Sequence, residues 1–216
     1  EDEGETAREY FAKRKIKQAT IRAFGLGYSL PGRDSFVDFS NAKKIDLEKA
    51  VYLGLIGRNN DGRLYDKFSG RIIFPLFSPN GRVIAFAGRI LQDRENAAKY
   101  LNSPESLVYF KGKTLYGLFL TKDDIRKKDK AILVEGYMDL ISLYQNGIKN
   151  VVAVSGTALT EDQVLLLSRY TKNVVLLFDA DTAGIKASMR SIELLLKRDM
   201  EIKIVSLPTG EDPDSY

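Results

Sequence analysis

An α/β protein is predicted, with an α+β segment at the N-terminal side and a doubly wound parallel sheet after it. Three observations carry this reading. From Lys130 onward, short wholly apolar runs alternate with stretches of helical spacing, the pattern of a parallel sheet buried on both faces. Ahead of that region, two strand-like runs are joined by a turn, and ahead of those lie short helical segments. The 216 residues are 44% apolar and 29% charged, the balance of a folded soluble protein long enough to bury its own core.

The elements follow in order. Thr6 with Glu9 reads as a capping box ahead of a helix over Ala7–Ile16. A second helix, Gln18–Phe24, is stopped by Gly25, a third spans Asp46–Leu55, and Asn59-Asn60-Asp61-Gly62 is turn chemistry. Arg71–Phe77 and Arg82–Arg89, joined through Ser78-Pro79-Asn80-Gly81, form a hairpin. The Lys/Arg-rich stretch from Lys122 to Lys130 reads as the seam between a domain at 1–128 and one at 129–216. In the second domain the strands are Ala131–Val134, Val151–Ser155, Val174–Phe178 and Ile202–Leu207. Helices over Tyr137–Asn146, Thr160–Thr171 and Thr182–Arg198 connect them, with Gly147 as a stop and Thr160 with Gln163 as a capping box.

Charge divides the chain. Residues 1–128 hold 24 Lys and Arg against 16 Asp and Glu, whereas residues 129–216 hold 9 against 13. A basic half suits a polyanionic partner and an acidic half suits a cation, although a solvated surface accounts equally for a modest excess. With no Cys and no His, disulfides, thiol or Ser-His-Asp catalysis, and a Cys/His zinc site are excluded within this segment. No run of about 18 apolar residues and no signal peptide occurs, so no membrane span or export is expected. The chain opens at Glu1 without Met and stops at Tyr216 in an acidic run, and is expected to be a piece of something longer.

In an open parallel sheet, ligands sit beyond the carboxyl ends of the strands. There the sequence is acidic: Glu135-Gly136-Tyr137-Met138-Asp139 after the first strand, Asp179-Ala180-Asp181 after the third, and Glu211-Asp212-Pro213-Asp214 after the fourth. If the strands align, Glu135, Asp179, Asp181, Asp212 and Asp214 gather, repel one another, and are relieved by a hard divalent cation such as Mg²⁺. That points to metal-dependent phosphoryl transfer. Singly the motifs are weaker: Asp179-x-Asp181 also caps helices, and Asp212-Pro213-Asp214 is an ordinary turn. An aspartate-nucleophile phosphatase of the haloacid-dehalogenase type places its Asp-x-Asp after the first strand of the domain, not the third.

The spacing of Glu135-Gly136-Tyr137-Met138-Asp139 and Asp179-Ala180-Asp181 resembles a toprim domain, shared by topoisomerases, primases and some nucleases. Upstream, Tyr65-Asp66-Lys67-Phe68, Gly70-Arg71-Ile72-Ile73-Phe74-Pro75-Leu76, Gly81–Arg89, Lys99-Tyr100-Leu101-Asn102-Ser103-Pro104-Glu105 and Lys111-Gly112-Lys113 resemble the bacterial DNA primase family. Ala7–Tyr10 with Arg14, Phe24–Tyr28 and Ser155–Leu159 extend the resemblance over nearly the whole chain. Ala87 stands where the family usually has Gly, and Phe110 where it usually has His.

The resemblance implies the RNA polymerase core of a primase, making short RNA primers on single-stranded DNA from nucleoside triphosphates in the bacterial cytoplasm at the nucleoid replication machinery. Glu135 is then a metal ligand or general acid/base, and Asp179, Asp181, Asp212 and Asp214 hold Mg²⁺, with Mn²⁺ as a substitute. Asp139 is a weaker candidate that orients a water. Arg14 or Arg8, Arg71, Arg89, Lys99, Tyr100, Asn102, Lys111 and Lys113 hold nucleic acid or nucleotide, the mixture of charge and stacking rings that single strands require, with Phe68, Tyr109 and Phe110 nearby. A zinc-binding domain and a C-terminal domain that contacts the replicative helicase belong to the family and are expected outside this chain. The rival readings are another toprim enzyme, a nuclease or a topoisomerase whose nucleophilic Tyr lies in a separate domain, and a single-strand-binding module without catalysis.

Overall fold

The chain folds as two compact units, residues 1–76 with 83–109 and residues 77–82 with 110–216. The computed structural model describes residues 4–32, 34–92, 97–154, 156 and 158–208. The seam expected near residue 128 lies inside the second unit, at the end of a helix.

In the first unit, α1 (Glu5–Lys13) starts at Glu5 with Gly4 as N-cap, so Thr6 sits within the first turn and the expected capping box does not form. The second helix, α2 (Gln18–Phe24), ends where expected. Gly25 closes it at φ 63°, in the left-handed region that a side chain resists. A short strand β1 (Gly27–Ser29) and helices α3 (Ser35–Ala42) and α4 (Leu47–Tyr52) follow. Asp46 caps α4 by accepting from the amides of Glu48 and Lys49 at 3.1 and 3.2 Å. The bond from the Lys49 amide is the main reason its carboxyl is held below the usual range.

The Asn59–Gly62 turn joins strands β2 (Ile56–Arg58) and β3 (Leu64–Asp66) into an antiparallel ribbon with Gly57 opposite Tyr65. Asp66, at the end of β3, is buried. Its two carboxylate oxygens accept from the amides of Phe36 and Val37 at 2.7 and 3.0 Å, capping α3 from 30 residues away. Val37, Ala50 and Ile56 form the small core beneath this arrangement.

The expected hairpin is present as β4 (Arg71–Phe77) and β5 (Val83–Ile90). With β6 (Tyr100–Asn102) it builds a four-stranded sheet of order β1-β4-β5-β6, in which Tyr28 faces Ile72 and Arg89 faces Tyr100.

The second unit opens with a 3-10 turn at Lys111–Lys113 and helix α5 (Leu118–Lys128). The strands are β7 (Ala131–Val134), β8 (Val151–Ala153), β9 (Asn173–Leu176) and β10 (Glu201–Ile204), separated by α6 (Tyr137–Gln145), α7 (Glu161–Leu167) and α8 (Thr182–Leu196). All pair in parallel, in the order β10-β9-β7-β8. Ala131, Leu133, Val152, Val174 and Leu176 point to one face and pack with Val164 and Leu167 of α7, Leu195 of α8 and Ile125 of α5. Val134, Val151 and Ala153 alternate to the other face and are equally buried. The doubly wound sheet read from the sequence is therefore the one observed. Because the chain steps from β7 outward to β8 and then returns to β9 on the other side, the order reverses at the β7/β9 boundary.

Asp66→Ala leaves two helix amides without their charged acceptor and is expected to lower folding stability by about 2–3 kcal/mol, with Asp66→Asn recovering part of it. Urea unfolding monitored by circular dichroism measures this. A loss below about 0.5 kcal/mol contradicts the capping role.

Candidate active site and nucleic-acid-binding residues

The β7/β9 boundary is the switch point at which an open α/β sheet leaves a crevice at its carboxyl edge. Glu135 directly follows β7 and Asp179 follows β9, so the topology brings these two residues together. The main-chain ladder carries through Leu177, whose amide donates to the Leu133 carbonyl at 3.0 Å. The next inward-facing amide, that of Asp179, donates instead to Oε1 of Glu135 at 3.2 Å. The Glu135 side chain thus takes the place of a backbone acceptor and is fixed against the neighbouring strand.

Burial pushes the Glu135 carboxyl up, and the charges of Asp179 and Asp181 push it in the same direction, against the opposing bond from the Asp179 amide. Asp181 is exposed and serves as the N-cap of α8, its Oδ1 accepting from the Gly184 amide at 2.7 Å. Gly184 admits no side chain. A Cβ there would stand 2.2 Å from the Asp179 carbonyl oxygen and 2.9 Å from Glu135 Oε1, so the first turn of α8 closes down on both acidic residues. Asp139 is buried, and its Oδ2 accepts from the Gly136 amide at 2.7 Å, which makes it the capping carboxylate of α6. That bond gives Asp139 a place in the scaffold at the start of α6. Asp212 and Asp214 lie outside the described residues.

Among the described residues no three or more acidic side chains surround a common point. The donors present nevertheless suit Mg²⁺, which keeps several waters and needs only one or two carboxylates. The upward push on Glu135 from two neighbouring negative charges is the repulsion that such a cation removes.

Also in the second unit, Lys111 extends its ammonium to the carbonyl of Gly156, beyond β8, at 3.4 Å. Lys113 is exposed, 3.8 Å from Asp162 and 5.5 Å from the centre of the Phe110 ring. The expected residues of the first unit divide. Arg8, Arg14 and Lys99 are exposed, and Tyr100 and Asn102 are half-buried on β6. Arg89, on β5, lies 4.9 Å from the centre of the Tyr10 ring and 5.9 Å from that of Tyr100, and its Nη1 donates to the Tyr10 hydroxyl. Nothing local to the Ala7–Tyr10 run signals this partner for Tyr10, which lies 79 residues from Arg89.

Arg71 departs from expectation. It is only 7% exposed, and its Nη1 donates to the carbonyls of Gly88, Ala98 and Lys99 at 3.1, 3.0 and 3.4 Å. Its Nη1 braces the chain entering β6, and the side chain lies in the interior and not on the surface expected of a phosphate ligand. The aromatic residues divide in the same way. Phe68 and Tyr109 are core, and burial raises the Tyr109 hydroxyl to about 12, whereas Phe110 is exposed.

Residues 1–122 match the family described as DNA primase catalytic core, N-terminal domain, and residues 132–216 match the Toprim-like family. The DNA primase of Clostridium acetobutylicum is 46% identical over 216 residues, covering 100% of this chain and 35% of that protein. The Aquifex aeolicus primase, solved as its zinc-binding and RNA polymerase domains, aligns with a TM-score of 0.90 at 42% identity, covering 96% of this chain and 51% of that one. A DnaG primase catalytic domain bound to single-stranded DNA aligns with a TM-score of 0.90 at 36% identity, over 99% of this chain and 69% of that one. The chain spans about a third of the length of the curated relatives it matches. With both halves matched, the chain belongs to the DNA primase catalytic core family.

Proposed function

We propose that the chain is the nucleotidyl-transferring core of a primase, which joins nucleoside triphosphates into short RNA primers on a single-stranded DNA template. The observation that carries this reading is the pairing of Glu135 with Asp179 at the β7/β9 switch point, in a chain of this family. Asp179 and Asp181 hold Mg²⁺, or Mn²⁺ in its place, with Asp212 and Asp214 as further ligands. A cation held there would supply charge neutralisation for the in-line displacement in which the 3′-oxygen bonds to the α-phosphorus and pyrophosphate leaves. Glu135 adjoins it. Its Oε1 is engaged by the Asp179 amide, and we assign Oε2 to the proton of the attacking 3′-hydroxyl, a task suited to a carboxyl whose ionisation is made harder by burial.

Arg14, Arg89, Lys99, Tyr100 and Asn102 contact the template strand, Arg and Lys through phosphate and Tyr100 by stacking. Lys111 and Lys113 hold a phosphate group. The reading places the protein in the bacterial cytoplasm with the replication machinery, and its further partner is the replicative helicase, reached through a region outside these residues. No helix among the described residues is long and apolar enough to cross a membrane.

Incubation with single-stranded DNA, Mg²⁺ and labelled nucleotides should yield template-dependent RNA, and Glu135→Gln should reduce it by about 10²-fold or more. Cleaved DNA without RNA, or bound DNA left unchanged, contradicts the assignment. The ionised Glu135 carboxylate is harder to form in the folded chain than in the unfolded one, so it opposes folding as pH rises through its titration. Glu135→Gln, which keeps the acceptor for the Asp179 amide, is therefore also expected to raise the metal-free melting temperature at neutral pH.

Two basic residues should separate under salt. Lys99→Ala is expected to weaken single-stranded DNA binding and to lower the slope of log affinity against log salt by about 0.7. Arg71→Met should lower the melting temperature and leave that slope unchanged, because the side chain is buried and its Nη1 is engaged by main-chain carbonyls. A reduced slope for Arg71→Met would return it to the phosphate ligands.

A further inference from the structure

The capping box that starts α7 does more than start a helix. Thr160 and Gln163 form both reciprocal bonds: the Gln163 amide donates to Thr160 Oγ1 at 3.1 Å, and the Thr160 amide donates to Gln163 Oε1 at 3.1 Å. That satisfies the helix and leaves three side-chain hydrogens. All three are directed to one segment about 50 residues earlier in the chain. Gln163 Nε2 donates to the carbonyls of Lys111 and Thr114 at 3.2 and 2.8 Å, and the Thr160 hydroxyl donates to the carbonyl of Gly112 at 2.5 Å. Gln163 is fully buried, at 0% exposure, so its own side-chain amide makes its two bonds away from competing water.

The gripped segment is the 3-10 turn that bears Lys111 and Lys113, and Lys111 points from it to the Gly156 carbonyl beyond the end of β8. A capping box needs only an acceptor at its third helical position, and glutamate serves as well as glutamine. The amide nitrogen of Gln163 is therefore unnecessary to α7 and necessary to the turn.

We propose that Gln163 and Thr160 are positioning residues for Lys111. By pinning the carbonyls of Lys111, Gly112 and Thr114 to the start of α7, they hold the base of a long flexible side chain so that its ammonium is delivered to the carboxyl edge of the sheet, where it meets a phosphate group. This inference rests on the reading of Lys111 as a phosphate ligand. The shared ligand chemistry is a phosphate oxyanion, from either the backbone of a single strand or a nucleoside triphosphate.

A double-mutant cycle tests it in the intact protein. Gln163→Glu preserves the cap and removes the donors. Gln163→Met is neutral, close in size, and removes both, and it keeps the test available should the buried carboxylate prevent folding. Each is measured alone and combined with Lys111→Ala, with oligo-dT in a salt titration as one arm and ATP with Mg²⁺ in a binding titration as the other.

We expect Lys111→Ala to weaken one of the two probes about tenfold. The arm that responds names the phosphate source. Either Gln163 variant should weaken the same probe about three- to tenfold, and should have no further effect once Lys111 is alanine. A Gln163 effect of equal size with and without Lys111, or no effect in a variant whose melting curve shows it folded, overturns the positioning role. No effect of Lys111→Ala in either arm overturns instead the reading of Lys111 on which the inference stands.

Discussion

The site depends on one constraint, the reversal of strand order in the parallel sheet. Strands β7 and β9 are neighbours although β8 lies between them in sequence, so the residues that follow them emerge side by side with no strand or loop to separate them. Two acidic residues occupy these positions. Placed there they repel, and the fold holds them with two devices: the Asp179 amide is turned onto the Glu135 carboxylate, and Gly184 lets the first turn of α8 press against both. Burial pushes the Glu135 carboxyl up, the charges of Asp179 and Asp181 add to that push, and the proposed divalent ion is the partner that would relieve it.

Much of this was legible in the sequence, for identifiable reasons. A parallel sheet buried on both faces leaves uninterrupted apolar runs, and each run ends where the chain turns polar, so Glu135 and Asp179 could be named from position alone. The stop at Gly25 and the Thr160–Gln163 capping box are local signals and appear as read. The three-residue strands β1, β2, β3 and β6 are too short to show a period. Helix α3 lacks a local side-chain cap because its cap, Asp66, arrives from β3. Helix α5 reads as a charged seam because its exposed face carries Lys and Arg, while Leu118, Thr121 and Ile125 are the residues it buries.

The same limit applies to single side chains. Arg71 and Lys99 look alike in a sequence, yet one is a buried brace and the other an exposed cation, because what decides is whether main-chain carbonyls from distant segments lie within reach. Several residues that make the chain recognisable serve the scaffold in this way. Asp66 caps α3, Phe68 lies against Gly88 where a Cβ would stand 2.6 Å from its ring, and Asp139 caps α6. Motif membership marked both kinds of residue without distinguishing them. Gln163 was read for its helix and not for the turn it grips, since no local pattern announces a bond across about 50 residues.

The central claim is that the Glu135–Asp179 pair is built around a divalent cation. Anomalous diffraction from crystals soaked in Mn²⁺ tests it most directly, because the ion reports its own position without reference to activity. The account predicts an anomalous peak within direct coordination distance of a carboxylate oxygen of Asp179 or Glu135, at the carboxyl edge between β7 and β9. A crystal that binds Mn²⁺ elsewhere while these carboxylates stay unligated would contradict it.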